Sequence, residues 1–267
     1  MDRLTARGFA EGMNNTAKSI AVFGAGPGVG RAVAHRYGKA GYDVVLVARR
    51  QGPLDQFAGE LAAQGITAHV LTADLSEPDL VPALAERIRA KVGDPAAFYY
   101  GPVPAGLEFS SAVDLRPEQL HEMLPMTLYT LLALVGEFLP AMIERGDGAI
   151  LSAQGAAAVE GRPRMSGWPA VLAAQRNYLQ SLAAEVAGQG VYVGMLYIGA
   201  RITGTPFDTR FREARAAGQP VPDIPAADPA ELADLLWTMH ADRKPRETVF
   251  PESLLTQTGL SAEDAAV

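Results

Sequence analysis

Cysteine is absent from the 267 residues, which excludes disulfides, thiolate nucleophiles and thiolate metal ligands. That absence fits a cytoplasmic protein, the location expected here. Histidine is scarce: His35, His69, His121 and His240 lie on separate segments, and no pair has the spacing of metal ligands on one helix. No metal site is expected. The formal net charge is −7 and no basic stripe is present, so nucleic acid is not an expected partner. Apolar runs long enough to cross a membrane, about 20 residues, are missing. The longest, Leu128–Val135, is interrupted by Tyr129 and Thr130 and ends at Gly136 and Glu137, so no membrane association is expected. Neither Gly-x-Ser-x-Gly nor a phosphate-binding loop ending in Gly-Lys-Ser/Thr occurs, which removes support for a hydrolase or a P-loop enzyme.

What is present is an alternation of two kinds of segment. Short apolar runs, Ser19–Phe23, Asp43–Ala48, Thr67–Leu71, Ala96–Tyr100, Ala149–Ala153, Val191–Tyr197 and Thr248–Phe250, read as strands. Strands apolar along their whole length are buried on both faces, the mark of a parallel sheet. Between them lie helical stretches near Gly28–Ala40, Pro53–Gln64, Glu77–Val92, Pro117–Arg145, Trp168–Gly188 and Pro229–Ala241. The alternation predicts a single Rossmann-type α/β domain, a doubly wound parallel sheet of about seven strands with helices on both faces. Residues 19–250 form the expected domain. Residues 1–18 read as a flexible extension, with Met13 an alternative start, and 251–267 as a C-terminal tail. The polar, Pro- and Gly-bearing segment Gly204–Ala227 reads as a mobile loop able to cover a site.

The first strand runs into Gly24-Ala25-Gly26-Pro27-Gly28-Val29-Gly30 and then into a helix. Glycine permits positive φ in such a turn and lets the backbone approach a pyrophosphate, whose charge meets free N–H groups at the helix start. The strand before and the helix after raise this above a chance glycine cluster. At the end of the second strand a site for NAD(H) usually carries an acid for the ribose hydroxyls. This chain has Ala48 followed by Arg49 and Arg50. Guanidinium groups pair a 2′-phosphate, so NADP(H) is favoured over NAD(H), unless both arginines are merely solvated at a helix entry.

These residues resemble the short-chain dehydrogenase/reductase family. Gly24-x-x-x-Gly28-x-Gly30 is similar to its nucleotide turn, Asp74-Leu75 to its adenine-contacting Asp, and Gly199 to Thr203 to its Pro-Gly-x-x-x-Thr loop, with Ile198 in place of proline. Gly101 falls in the segment that follows the fourth strand, where the family has Asn-Asn-Ala-Gly. The resemblance implies a seven-stranded sheet, a homodimer or homotetramer, and hydride transfer to or from a carbonyl or alcohol. It also implies a catalytic Asn, Ser, Tyr and Lys. Counting from neighbouring landmarks puts Thr127, Gly155, Trp168 and Leu172 at those four positions. The only lysines are Lys18, Lys39, Lys91 and Lys244, and none stands four residues after a tyrosine.

An indole N–H does not titrate usefully. A positioned general acid contributes about 10²–10⁴ in rate, so plain ketone reduction is expected to be very slow. Trp168 and Leu172 suggest instead an apolar wall over the nicotinamide. Tyr99 and Tyr100 close the fourth strand, where open α/β sheets bind ligands, and either is a candidate for a relocated acid or for packing. Tyr197 closes the sixth strand in the same zone, with Arg162, Arg164 and Arg201 as candidate neighbours. Ser152 and Gln154 share a strand face near the serine position and are candidates for hydrogen bonding a substrate oxygen. Three functions stay open: an NADP(H)-dependent oxidoreductase with non-standard catalytic residues and an unknown small-molecule substrate, a catalytically inactive NADP(H) sensor or partner protein, and a non-redox lyase or isomerase in the old cofactor cleft.

Overall fold

The computed structural model describes residues 18–104, 106 and 109–254. The expected N-terminal extension before Lys18 and the tail beyond Leu254 lie outside the described residues. Seven strands, β1 (Ser19–Phe23), β2 (Asp43–Ala48), β3 (Ala68–Thr72), β4 (Ala97–Tyr100), β5 (Gly148–Gly155), β6 (Val191–Ile198) and β9 (Glu247–Phe250), form one sheet in the order β3-β2-β1-β4-β5-β6-β9. Every pairing is parallel, with Ile20 of β1 opposite both Val44 and Ala97. The strand order reverses direction between β1 and β4, the crevice where such sheets bind dinucleotides.

Both faces are covered, which is why the strands are apolar throughout. Side chains such as Ile20, Val22 and Leu46 pack beneath α1 (Val29–Lys39), α2 (Gln51–Ala62) and α8 (Pro229–Asp242). Their strand neighbours Ala21, Phe23 and Val45 pack against α3 (Val81–Val92), α5 (Thr130–Arg145) and α6 (Trp168–Val186). Local chemistry marks the helix ends. Asp228 Oδ1 accepts from the Ala230 amide ahead of Pro229, and Gly146 stops α5 in the left-handed conformation.

Two elements differ from expectation. The long helix after β4 is not uniform: α4 (Pro117–Leu124) passes through one π turn, Pro125–Tyr129, into α5. Pro125 removes a backbone donor and so loosens the ladder there. The combined helix is long and apolar enough to cross a membrane by length and composition, but Leu131, Leu134, Phe138 and Met142 bury its apolar face in the core. The Gly204–Ala227 segment is not a plain loop. It carries α7 (Pro206–Ala216), capped by the Thr205 hydroxyl, which accepts from the Asp208 amide at 3.2 Å. Short strands β7 (Arg201–Ile202) and β8 (Ala226–Ala227) pair in parallel to close the excursion at its base. Its proline and glycine punctuation masked a Thr-Pro helix start followed by good helix formers.

Candidate active site

The glycine turn is shaped by close approaches. Gly24 has φ of +92°, and a Cβ there would meet Gly101 and Pro102 backbone atoms at 2.9 Å. On Gly30 a Cβ would lie 2.1 Å from the Gly24 carbonyl oxygen. A Cβ on Gly26, by contrast, would meet nothing within 4 Å. The turn is therefore tight beneath and open above Gly26, beside the first-turn amides of Val29 and Gly30, which have no intrahelical partners. That cradle fits a pyrophosphate. Across it, Thr205 Cγ2 and Ile202 Cγ2 approach the Cβ position of Gly28 to 3.0 and 3.7 Å, so the segment from Gly199 to Thr205 roofs the turn.

Arg49 and Arg50 are exposed at the end of β2, and neither forms an ion pair among the described residues. Asp74 accepts from the Ser76 amide and hydroxyl at 3.0 and 2.7 Å; those bonds, assisted by nearby Arg49, hold its carboxyl below the ordinary carboxylate value. Leu75 turns its side chain inward. Its side chain belongs to the core, and its carbonyl accepts from the Thr130 hydroxyl at 2.8 Å. Gly199 is pressed close to Leu254 and donates to the Phe250 carbonyl at 2.7 Å. Thr203 is half-buried and donates its amide to Ala227 at 2.9 Å.

Tyr99 and Tyr100 do not present phenols to the crevice. Both rings are 1% exposed, on opposite faces of the sheet. Tyr99 lies directly under Gly101, and the Tyr100 hydroxyl donates to the Met126 carbonyl. Burial pushes both phenols above their ordinary value, the wrong direction for an acid working near neutrality. Tyr197 is likewise committed, donating to Glu247 Oε1 at 2.6 Å. The guanidinium beside it is Arg176, which holds the same carboxylate at 2.9 Å; Arg162 and Arg164 stay exposed and Arg201 pairs with Asp208. The relocated-acid expectation fails because strand ends that look exposed in sequence are covered by α5 and by the segment after β4.

At the positions aligned with the family's catalytic set, Thr127 sits buried in the π turn, its hydroxyl donating to the Met123 carbonyl at 2.7 Å. Buried Gln175 donates to the Thr127 carbonyl at 2.6 Å. Gly155 is exposed, with open space where a side chain would start. Trp168 and Leu172 are buried on the first two turns of α6. Ser152 and Gln154 are buried on the same strand face, and Gln154 Oε1 has no hydrogen-bond partner.

Trp168 walls a cavity of about 290 Å³ with Met123, Met126, Ser110, Gln119 and Glu122. Its outer wall is held by a backbone bridge between Ser110 and Ser166 and by Gln119 Nε2, which donates to Ser110 Oγ at 3.2 Å. Gln119, Glu122, Met123 and Met126 fall on the helix expected at Pro117–Arg145, but nothing in their spacing marks one side of it as the lining of a cavity.

A family model described as short chain dehydrogenase matches residues 18–216. The chain belongs to the short chain dehydrogenase family. A short chain dehydrogenase of Pseudocercospora fijiensis is 31% identical over 180 residues, 65% of this chain. This chain spans 56% of that protein's length. A fatty acyl-CoA reductase of Mycobacterium tuberculosis is 29% identical over 251 residues, covering 92% of this chain and 81% of the reductase. Among solved structures, the NADPH and L-sorbose complex of L-sorbose reductase from Gluconobacter frateurii superposes with a TM-score of 0.71 at 22% identity, over 85% of this chain and 91% of that one. An NADPH-bound short chain oxidoreductase of Pseudomonas aeruginosa PAO1, described as containing an atypical catalytic center, gives 0.71 at 23% identity, over 84% and 89%. At such identities the two structures establish the shared Rossmann-type fold. The family assignment, with the glycine cradle, makes the chain an oxidoreductase-type protein with a nicotinamide-nucleotide crevice.

Proposed function

We propose that this chain is an NADP(H)-binding oxidoreductase whose catalytic residues depart from its family's set, moving a hydride between the cofactor and a small molecule. The observation that carries the reading is the pairing of an open glycine cradle with Arg49 and Arg50, exposed and without ion-pair partners among the described residues. A 2′-phosphate there gains charge-assisted hydrogen bonds that a ribose hydroxyl does not. That two similar folds were solved with NADPH supports the choice.

The nicotinamide supplies or accepts the hydride when bound. The chain's residues do the remainder: the Val29 and Gly30 amides meet the pyrophosphate, and Arg49 and Arg50 the 2′-phosphate. The segment from Gly199 to Thr205 closes over the turn, and Trp168 and Leu172 wall the reacting end and exclude water. Since neither residue titrates, a substrate whose reduction needs no protein acid at that point, such as an activated alkene, suits the site better than a simple ketone. Exposed Tyr129 and Leu132 on the α4–α5 helix support a homodimer or homotetramer built on this face.

The burial of Trp168 and Leu172, together with the committed Tyr100 hydroxyl, favours a second reading: a sensor or partner protein that binds NADP(H) without turnover. Calorimetric titration with NADPH and NADH, on the wild type and on Arg49→Ala, tests the cofactor. NADPH should bind at least about tenfold tighter, roughly 1.4 kcal/mol, and the variant should lose that preference. Equal affinities overturn the NADP(H) choice. Binding of neither nucleotide overturns the redox reading and turns attention to a lyase or isomerase. NADPH binding without oxidation across ketones, alcohols and enones selects the sensor.

A further inference from the structure

We propose that the cavity beside Trp168 takes the neutral aliphatic body of the substrate, a medium-chain compound of about ten carbons with its reacting group at the crevice end. The assignment of a reaction to that group rests on the oxidoreductase reading; the binding does not.

Size, lining and mouth point the same way. At about 30 Å³ for each small non-hydrogen unit, as in liquid water, a cavity of about 290 Å³ holds roughly ten such units. That is the small end of ligand pockets. Three of the lining residues are two thioethers and an indole, Met123, Met126 and Trp168, soft apolar surfaces that adapt to a flexible chain. The polar groups, Ser110, Gln119 and Glu122, share the lining, and Ser110 and Gln119 already bond each other. No lysine or arginine lines the cavity among the described residues, and its one charge is the Glu122 carboxylate, which disfavours an anionic ligand. Outside, the chain keeps large apolar side chains in water: Val103 is 64%, Phe109 44% and Val113 90% exposed. Val103 adjoins Pro104 and Phe109 adjoins Ser110, both of which line the cavity. Apolar side chains left exposed beside Pro104 and Ser110 extend the apolar part of the lining outward and give a longer chain a place to lie.

Trp168 supplies the readout. The second tryptophan, Trp237, packs with Tyr37 and Tyr42 on the opposite face of the sheet, so Trp237→Phe leaves Trp168 as the single reporter. The full chain carrying that change is titrated with 2-decanone, 2-butanone and decanoate, with and without NADP⁺. Saturable quenching by 2-decanone is expected, with 2-butanone and decanoate at least about tenfold weaker. Adding Met123→Ala should weaken 2-decanone about tenfold, and Glu122→Lys, an exposed change, should bring decanoate up to the level of 2-decanone. Equal binding of 2-butanone overturns the size assignment, and stronger binding of decanoate overturns the neutral class. No quenching by 2-decanone in a variant that still binds NADPH overturns the proposal and leaves the cofactor reading standing. If self-association in sedimentation then protects the fluorescence, the apolar rim belongs to a second copy of the chain. Quenching by 2-decanone in a protein that binds no nucleotide leaves the pocket standing and sinks the oxidoreductase reading.

Discussion

The Gly24 carbonyl oxygen occupies the space that a side chain on Gly30 would need, at 2.1 Å from its Cβ position. The start of α1 and the turn before it are thus packed backbone on backbone. Gly30→Ala should cost about 2 kcal/mol or more, because neither backbone segment can yield cheaply. Gly26→Ala meets open space and no positive φ, so its stability should match the wild type while the added methyl intrudes on the phosphate position. Urea denaturation and NADPH titration of both variants separate the two effects. Equal stability with equal binding in Gly26→Ala would show that the cradle is not where the phosphates sit.

Tyr100→Phe removes a buried hydroxyl from the Met126 carbonyl, a bond worth about 1 kcal/mol. Stability should fall by roughly that amount, and any NADPH oxidation should be unchanged within about twofold. A loss of turnover beyond a hundredfold, at the scale of a missing general acid, would restore the phenol to the chemistry.

Arg201 and Asp208 form an ion pair in which Asp208 is 3% exposed, and Asp208 also accepts from the Gly204 amide at 3.0 Å. The guanidinium lies over the Phe211 ring at 4.6 Å, so the pair pins α7 above the glycine turn. Removing one partner leaves a charge enclosed without compensation. Asp208→Ala should loosen the segment from Arg201 to Ala216 by about 2 kcal/mol, read as amide exchange about thirtyfold faster there than in α1. NADPH should also dissociate faster. Unchanged exchange in that segment would mean that the roof is held by β7 and β8 alone.

His240 shares a 2.7 Å hydrogen bond with Tyr37 and stacks between Tyr37 and Tyr192. Burial, helped by Arg243 and opposed by Asp147, lowers its pKa to about 4 from the ordinary 6.5. The folded chain therefore keeps the ring neutral where the unfolded chain takes up a proton. The contribution to stability is complete above about pH 6.5 and is lost as pH falls towards about 4, with a ceiling of about 3 kcal/mol. Urea midpoints of wild type and His240→Phe should converge between pH 7.5 and pH 5. A constant difference across that range would place the proton uptake elsewhere.

Local rules made much of this protein readable in its sequence. Short apolar runs rich in β-branched residues and bounded by turns pointed to a sheet covered on both faces, and Gly24, Gly28 and Gly30 announced a turn that no other residues would allow. Arg49 and Arg50 stood where an acid is usual, and the absence of any Tyr-x-x-x-Lys is a property of the letters alone. These features depend on neighbours a few residues away.

Tertiary packing decided the rest. Whether Tyr99 and Tyr100 face a ligand or the core depends on what covers the end of β4, and the answer came from α1, α5 and the Met126 carbonyl. Leu75 turned inward because α5 crosses beneath it. The Gly204–Ala227 excursion folds back over the glycine turn because Arg201 pairs with Asp208 and β7 meets β8 at its base. The cavity beside Trp168 joins the segment after β4 and α4 to the start of α6, which follows them in the chain only after α5 and β5. Burial is the sum of such distant approaches, and that sum has no signature in a local pattern.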